Sequence, residues 1–155
     1  MQPVKTIRPA RLEEAACITA LVNQAYSHYV ARIGQKPAPM LDDYRQVLAE
    51  SQVYVLTCDA EIAGVLVMRP IDGELLLENV AVLPRYKGQG IGKRLMLFCE
   101  EHARHCRCRA ICLYTHERMT ENIALYTRLG YLETHRATQN GFARVFMRKT
   151  LETRL

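Results

Sequence analysis

The apolar positions along this chain change period several times, and each change marks an element. Val4 to Arg8 reads as a short strand. From Arg11 to about Ile33, the apolar residues Leu12, Ala15, Ala16, Ile18, Leu21, Val22, Ala25, Tyr26, Tyr29 and Val30 recur at helical spacing, which predicts one amphipathic helix. Gly34 ends it. The stretch from Gly34 to Pro39 is a loop, because its two prolines remove backbone donors and bias their predecessors away from helix. Asp42 or Asp43 then caps a second helix through about Glu50.

Gln52 to Cys58 and Glu61 to Arg69 are β-rich runs joined at Asp59-Ala60 as a hairpin, and Asp72-Gly73 turns the chain into Glu74 to Leu83. Three consecutive antiparallel strands are expected, stopped by Pro84. The period then switches, and Gly90 to about Cys106 reads as a helix with Ile91, Leu95, Phe98, Cys99 and His102 on one face. Ala110 to Thr115 is a strand, a helix beginning at Met119 or Thr120 ends at Gly130, and Tyr131 to Thr138 pairs with Phe142 to Lys149 around Gln139-Asn140-Gly141. The order β-α-α-β-β-β-α-β-α-β-β predicts one mixed α/β domain over residues 1–155, without internal repeats.

Composition narrows the class. A chain of 155 residues has room for one domain, and 49% hydrophobic with 24% charged residues describes a globular core, not a disordered segment. Twenty-one Lys and Arg against 16 Asp and Glu leave a net charge of +5, which suits a phosphate-bearing ligand, nucleic acid or an anionic surface equally well. The longest apolar runs, such as Ile62 to Met68, are short and residues 1–20 carry charges throughout. Neither a membrane span nor a secretory leader is therefore expected, and a cytoplasmic location is.

Of the six cysteines, Cys17, Cys58, Cys99 and Cys112 sit within apolar patterns and are expected to be reduced core residues. His102, His105, Cys106 and Cys108 could hold a soft metal, but a C-x-C without a second pair lacks zinc-finger spacing. A helix end running into a loop explains them, and no metal is expected.

The chemistry concentrates at one junction. From Leu83 to Arg94 the chain passes from strand to helix with glycines at 88, 90 and 92 and the cations Arg85, Lys87, Lys93 and Arg94. Free N–H groups at the helix start, the positive end of its dipole and the cations make an anion site suited to a pyrophosphate. A Walker loop is excluded, because Gly88 to Gly92 is one residue too short and Lys93-Arg94 follows, with no hydroxyl for magnesium. A dinucleotide fingerprint fails too, since the glycines are evenly spaced. Zinc-finger spacing and aromatic RNA signatures are missing, so nucleic acid is not an expected partner.

Lys87-Gly88-Gln89-Gly90-Ile91-Gly92 resembles the [Q/R]-x-x-G-x-[G/A] pyrophosphate loop of the GNAT superfamily of acetyl-CoA-dependent N-acetyltransferases, with Lys where the family usually has Gln or Arg. Ile123 to Tyr131 is similar to the family's A-x-x-L-Y-x-x-x-G-[F/Y] block. Met119 stands where the family commonly has Asn, and Asn122 lies one turn before Tyr126.

The resemblance implies a mostly antiparallel sheet whose fourth and fifth strands splay into a V-shaped gap. Acetyl-CoA would lie there against the backbone of Val80, Ala81 and Val82, with Lys87 through Lys93 and Asn122 as further coenzyme contacts. It implies transfer of acetyl to a primary amine of a small molecule or peptide by direct attack in a ternary complex. A non-catalytic acyl-CoA sensor or interaction module on the same fold is the alternative. Tyr126, at the family's Tyr position, is the expected donor to the departing thiolate.

Glu78 is the expected base. It lies four residues before Val82, and on an unbroken strand it shares a face with Leu76, Val80 and Val82, a carboxylate in an apolar row. The acceptor is expected near the first helix and its loop, where His28, Arg32, Asp42 and Asp43 accompany Tyr26, Tyr29 and Tyr44, with Tyr114 as a further candidate. Tyr26 and Tyr29 equally fit the core face of the helix. A polyamine, an amino acid, an aminoglycoside and a protein N-terminus all remain open as acceptors, and the final hairpin leaves an edge for a possible homodimer.

Overall fold

Seven strands form one sheet in a computed structural model that describes residues 2–151. They are β1 (Lys5–Pro9), β2 (Gln52–Cys58), β3 (Glu61–Ile71), β4 (Glu74–Val82), β5 (Ala110–His116), β6 (Leu132–Gln139) and β7 (Phe142–Thr150). The order across the sheet is β1-β2-β3-β4-β5-β7-β6, antiparallel everywhere except between β4 and β5. A parallel pair needs a crossover, and α4 (Ile91–His105) supplies it. The other helices are α1 (Ala15–Tyr26), α2 (Tyr29–Ile33), α3 (Tyr44–Glu50) and α5 (Thr120–Arg128). Among the described residues no helix is long and apolar enough to cross a membrane.

The expected single helix from Arg11 to Ile33 is three pieces: a 3-10 turn at Leu12–Glu14, then α1, then α2 after a break at Ser27 and His28. Leu12 is 63% exposed. The break lets Tyr26 and Tyr29 bury against different neighbours, β4 and α5, which a straight helix could not reach together. Cys17 is exposed, contrary to expectation, because it falls beside the buried stripe Ala15, Ile18, Leu21, Val22, Ala25 and Tyr26. Cys58 and Cys99 are buried and Cys112 half-buried. Asp43, not Asp42, caps α3, accepting the Arg45 N–H at 3.0 Å. On α4 the buried stripe includes Met96 and Ala103, whereas Phe98 flanks it and packs on Tyr54 with ring centroids 4.7 Å apart.

Two cores lie on the two faces of the sheet. One is covered by α4 and α5 and contains Leu66, Met68, Leu75, Leu77, Leu95, Ile111, Tyr126 and Tyr131. The other is covered by α1 and α3 and contains Ile18, Val22, Tyr26, Val55, Val65, Val67 and Ala81. Gly64 on β3 allows α4 its close approach, since a Cβ there would meet Leu95 Cδ1 at 2.9 Å and Ile91 Cγ2 at 3.1 Å. That contact seats the N-terminus of α4 against the sheet.

The alternation of β4 breaks at Glu78. Met68 pairs with Leu77 and Val67 with Asn79, so Glu78 is the extra residue of a β-bulge. Before it, Leu75 and Leu77 point into the α4-side core; after it, Val80 and Val82 pack there and Ala81 joins the α1-side core. The expected row of Leu76, Glu78, Val80 and Val82 is therefore not one face. A bulge bends its strand, and this one sits where pairing with β5 ends.

β1 is tied to the turn before α1 by Arg8 and Glu14, whose bidentate contacts are 2.9 and 2.7 Å. The Arg8 guanidinium holds the Glu14 carboxyl down at about 2, with a further hydrogen bond from the Arg11 backbone. An unfolded Glu titrates near about 4.3, so the pair stabilises the fold fully above that pH and its contribution is lost as pH falls toward the folded value. Glu14→Gln is expected to cost about 2 kcal/mol at pH 7 and nothing below both pKa values. Urea unfolding at pH 7 and pH 3 checks this through a smaller stability difference between the two pH values in the variant.

Candidate functional site

β4 and β5 are paired only at Leu75 with Ile111, Leu76 with Cys112 and Leu77 with Leu113. Beyond that point the strands diverge, leaving residues 78–82 of β4 and 114–116 of β5 without ladder partners on their facing edges. Two basins open on either side of this gap. The glycine-loop basin is lined by residues of α1 and α2, by Val80, Ala81 and Val82, by Tyr86, Lys87, Gly88 and Gly90 to Lys93, and by Leu125 and Arg128 of α5. The hairpin-side basin is lined by Pro37, Pro39, Asp42, Glu78, Tyr114, His116, Phe142 and Arg144, among others. Tyr26, Val80, Asn122 and Tyr126 line both. The basins therefore meet at the gap.

The glycine loop has the geometry of an anion cradle. Gly88 and Gly90 hold φ of +82° and +76°, in the left-handed region, and nothing lies within 4 Å of where their Cβ atoms would be. Gly90 caps α4, so the first amides of that fifteen-residue helix have no helical acceptor and point with the positive end of its dipole into the basin. Lys87, Lys93 and Arg128 add charge. Lys5 Nζ donates to the Gln89 carbonyl at 3.3 Å and bolts the loop to β1. Among the coenzyme contacts expected from sequence, all but Gln89 line this basin.

The buried hydroxyl without a hydrogen-bond partner among the described residues is that of Tyr131; its neighbour Tyr126 is 7% exposed and lines the gap where the two basins meet. Burial pushes the Tyr126 pKa up, so the phenol stays protonated across the neutral range. Met119, at the position where Asn was looked for, is buried, its sulfur taking a hydrogen bond from Thr115 Oγ1 at 3.5 Å. Asn122 instead lines the gap, with Nδ2 3.6 Å from the same sulfur.

A buried polar relay supports the other edge. The Tyr26 hydroxyl lies 2.7 Å from Asn79 Oδ1 and 3.1 Å from the Val80 carbonyl, Asn79 Nδ2 donates to the Tyr44 hydroxyl at 3.1 Å, and Tyr44 donates to the Pro39 carbonyl at 2.7 Å. Tyr26, Asn79 and Tyr44 each find a partner, so the relay ties α1, β4 and the proline loop into one wall. Tyr44 works behind that wall and lines neither basin. Tyr29 lies in the glycine-loop basin; its hydroxyl donates to Glu121 Oε2 at 3.0 Å, and burial, then that bond, push its pKa up to about 12. Arg32 clamps the same carboxylate at 2.7 Å, which latches α2 onto α5.

Glu78 lines the hairpin-side basin. Its Oε1 accepts from Ser51 Oγ at 3.0 Å and from Arg69 Nε at 3.2 Å, which orients the carboxylate and leaves Oε2 without a partner among the described residues. Asn79, His116 and Arg144 also belong to the site and escaped the sequence reading. Arg144 and His116 are cross-strand partners in the β5–β7 register, a pairing that no local periodicity announces.

Residues 18–131 match the profile of the Acetyltransferase (GNAT) family. The chain is 28% identical over 134 residues to the uncharacterized N-acetyltransferase YjgM of Escherichia coli, covering 81% of this chain and 80% of that one. The PaiA N-acetyltransferase of Thermoplasma acidophilum, solved in complex with coenzyme A, superposes with a TM-score of 0.78 at 16% identity, covering 96% of this chain and 99% of that one. A GNAT family acetyltransferase from Elizabethkingia anophelis with acetyl-CoA bound has a TM-score of 0.72 at 21% identity, covering 95% and 98%. At these identities the likeness to the solved structures is one of fold.

Proposed function

Because the chain belongs to the GNAT acetyltransferase family, we propose that it moves an acetyl group from acetyl-CoA, bound along the glycine-loop basin, to a primary amine in the hairpin-side basin. The observation that carries this reading is the meeting of two basins at the one place where β4 and β5 separate. A donor and an acceptor entering from opposite sides are brought into contact there without a covalent enzyme intermediate. The PaiA relative's complex with coenzyme A and the Elizabethkingia protein's with acetyl-CoA support the choice of donor.

The loop residues fit a pyrophosphate by chemistry as well as shape: free helix amides, two left-handed glycines and flanking lysines. The edge of Val80 to Val82 that faces away from β3, without ladder partners on β5, accepts the pantetheine arm as an added strand and polarises the thioester carbonyl. The neutral amine attacks that carbon; a C–N bond forms and the C–S bond breaks. The amine proton goes to Glu78, directly or through water, and the departing sulfur receives the Tyr126 hydroxyl proton or its hydrogen bond. Proton return from Glu78 through water resets Tyr126.

Melting temperature with acetyl-CoA, CoA, ATP and NADH tests the donor. Acetyl-CoA and CoA at about 100 times Kd are expected to raise it by roughly 5 to 10 °C, and ATP and NADH to leave it unmoved. A shift with neither coenzyme overturns the reading. Glu78→Gln is expected to lower kcat about tenfold with little change in the coenzyme-induced shift, read by thiol release at pH 6 to 9. Wild-type rates across that range would remove Glu78 from the base role.

A further inference from the structure

Resting on that transferase reading, we propose that the acceptor is a small zwitterion: a primary amine within a few bonds of a carboxylate, as in an α-amino acid with an apolar side chain. The hairpin-side basin holds two opposite charges that sense each other without bridging. Asp42, at the turn before α3, lies within the field of Arg144 on β7. Among the described residues neither forms an ion pair with any partner.

Arg144 is held back by its own side of the basin. Its guanidinium carbon stacks 4.3 Å from the centre of the Tyr114 ring, and Nη1 donates to Gln139 Oε1 at 2.9 Å. Stacking leaves the remaining N–H groups of the planar fork available for a carboxylate. His116 faces Arg144 in register, so both side chains rise from the same sheet face. Its Nδ1 accepts the Arg118 N–H at 3.1 Å, which puts the ring proton on Nε2, and burial keeps the ring neutral by lowering its pKa. That gives a second donor beside Arg144.

The opposite wall is the complement. Asp42 and Glu78 line the same basin, and burial, then the nearby charge of Glu78, raise the Asp42 carboxyl; Glu78 Oε1 is held by Arg69, while Asp42 has no ion-pair partner among the described residues. An ammonium is the group that fits. It would dock on Asp42 and pass its proton through Glu78 to solvent before attack, so that Glu78 is again a carboxylate when the attacking amine gives up its second proton. Pro37, Pro39 and Phe142 supply apolar surface between the two walls. A polyamine would set a second cation against Arg144, and a protein N-terminus has no carboxylate close to its amine, so both leave one wall unsatisfied.

Thiol release with leucine, methionine and phenylalanine, each compared with its decarboxylated amine, and with spermidine and a free-N-terminal peptide, tests this. At least one amino acid is expected to exceed its decarboxylated amine in kcat/KM by about tenfold or more, because the amine leaves Arg144 and His116 unpaired. Arg144→Gln should bring that ratio to about one, mainly through KM of the amino acid, and Arg144→Lys should restore part of it. The melting temperature of each variant, with and without acetyl-CoA, separates misfolding from lost recognition. If acetyl-CoA shifts the melting temperature yet spermidine, the peptide or the decarboxylated amines match the amino acids, or no amino acid turns over, the zwitterion proposal falls and the transferase reading stands. If acetyl-CoA does not shift it, the transferase reading itself has failed.

Discussion

Replacing Tyr126 by phenylalanine is expected to lower kcat by about 100-fold or more, within the range for loss of a positioned acid. The coenzyme-induced rise in melting temperature should remain. The split follows from the surroundings of the residue: the ring packs in the α4-side core with Tyr131, centroids 5.9 Å apart, while Tyr126 also lines both basins where they meet at the gap. Phenylalanine keeps the packing and removes only the polar atom, so folding stability should be equal or slightly higher. A hydroxyl kept for structure would show the reverse, a fall in stability with activity intact. Thiol release at saturating acetyl-CoA together with thermal melting distinguishes the two, and a kcat within threefold or so of wild type would remove Tyr126 from the chemistry.

Gly90→Val is expected to weaken acetyl-CoA binding by about 100-fold, since the loss combines a displaced backbone with a lost amide cradle. Gly90 sits at φ +76°, where a β-branched residue is an outlier. No protein atom lies within 4 Å of the added Cβ, so the damage comes from the dihedral and from filling the space a phosphate approaches. To relieve the strain the residue must leave the left-handed region, and the amides of Ile91 and Gly92 rotate with it. Titration of CoA by calorimetry measures the effect. Unchanged affinity would mean that the helix start does not hold the pyrophosphate and that the lysines alone do.

Local pattern determined a large part of this protein. Strand and helix order were legible because each element shows its own period, and the glycine loop was legible because left-handed backbone next to a helix start needs glycine whatever surrounds it. Tyr126 and the loop from Lys87 to Lys93 could be marked for the same reason: they lie on one continuous stretch or within one helical motif.

Tertiary structure decided the rest. The bulge at Glu78 came from pairing β4 with β3 and could not be read from β4, whose apolar alternation looks unbroken. The break after Tyr26 arose because two tyrosines one turn apart find partners on different elements, Asn79 and Glu121. Arg144 and His116 meet only because β7, not β6, inserts beside β5. Periodicity reports which face of an element is apolar, whereas register and strand order are settled by how whole faces pack. A site assembled across a sheet therefore becomes visible only when the sheet has formed.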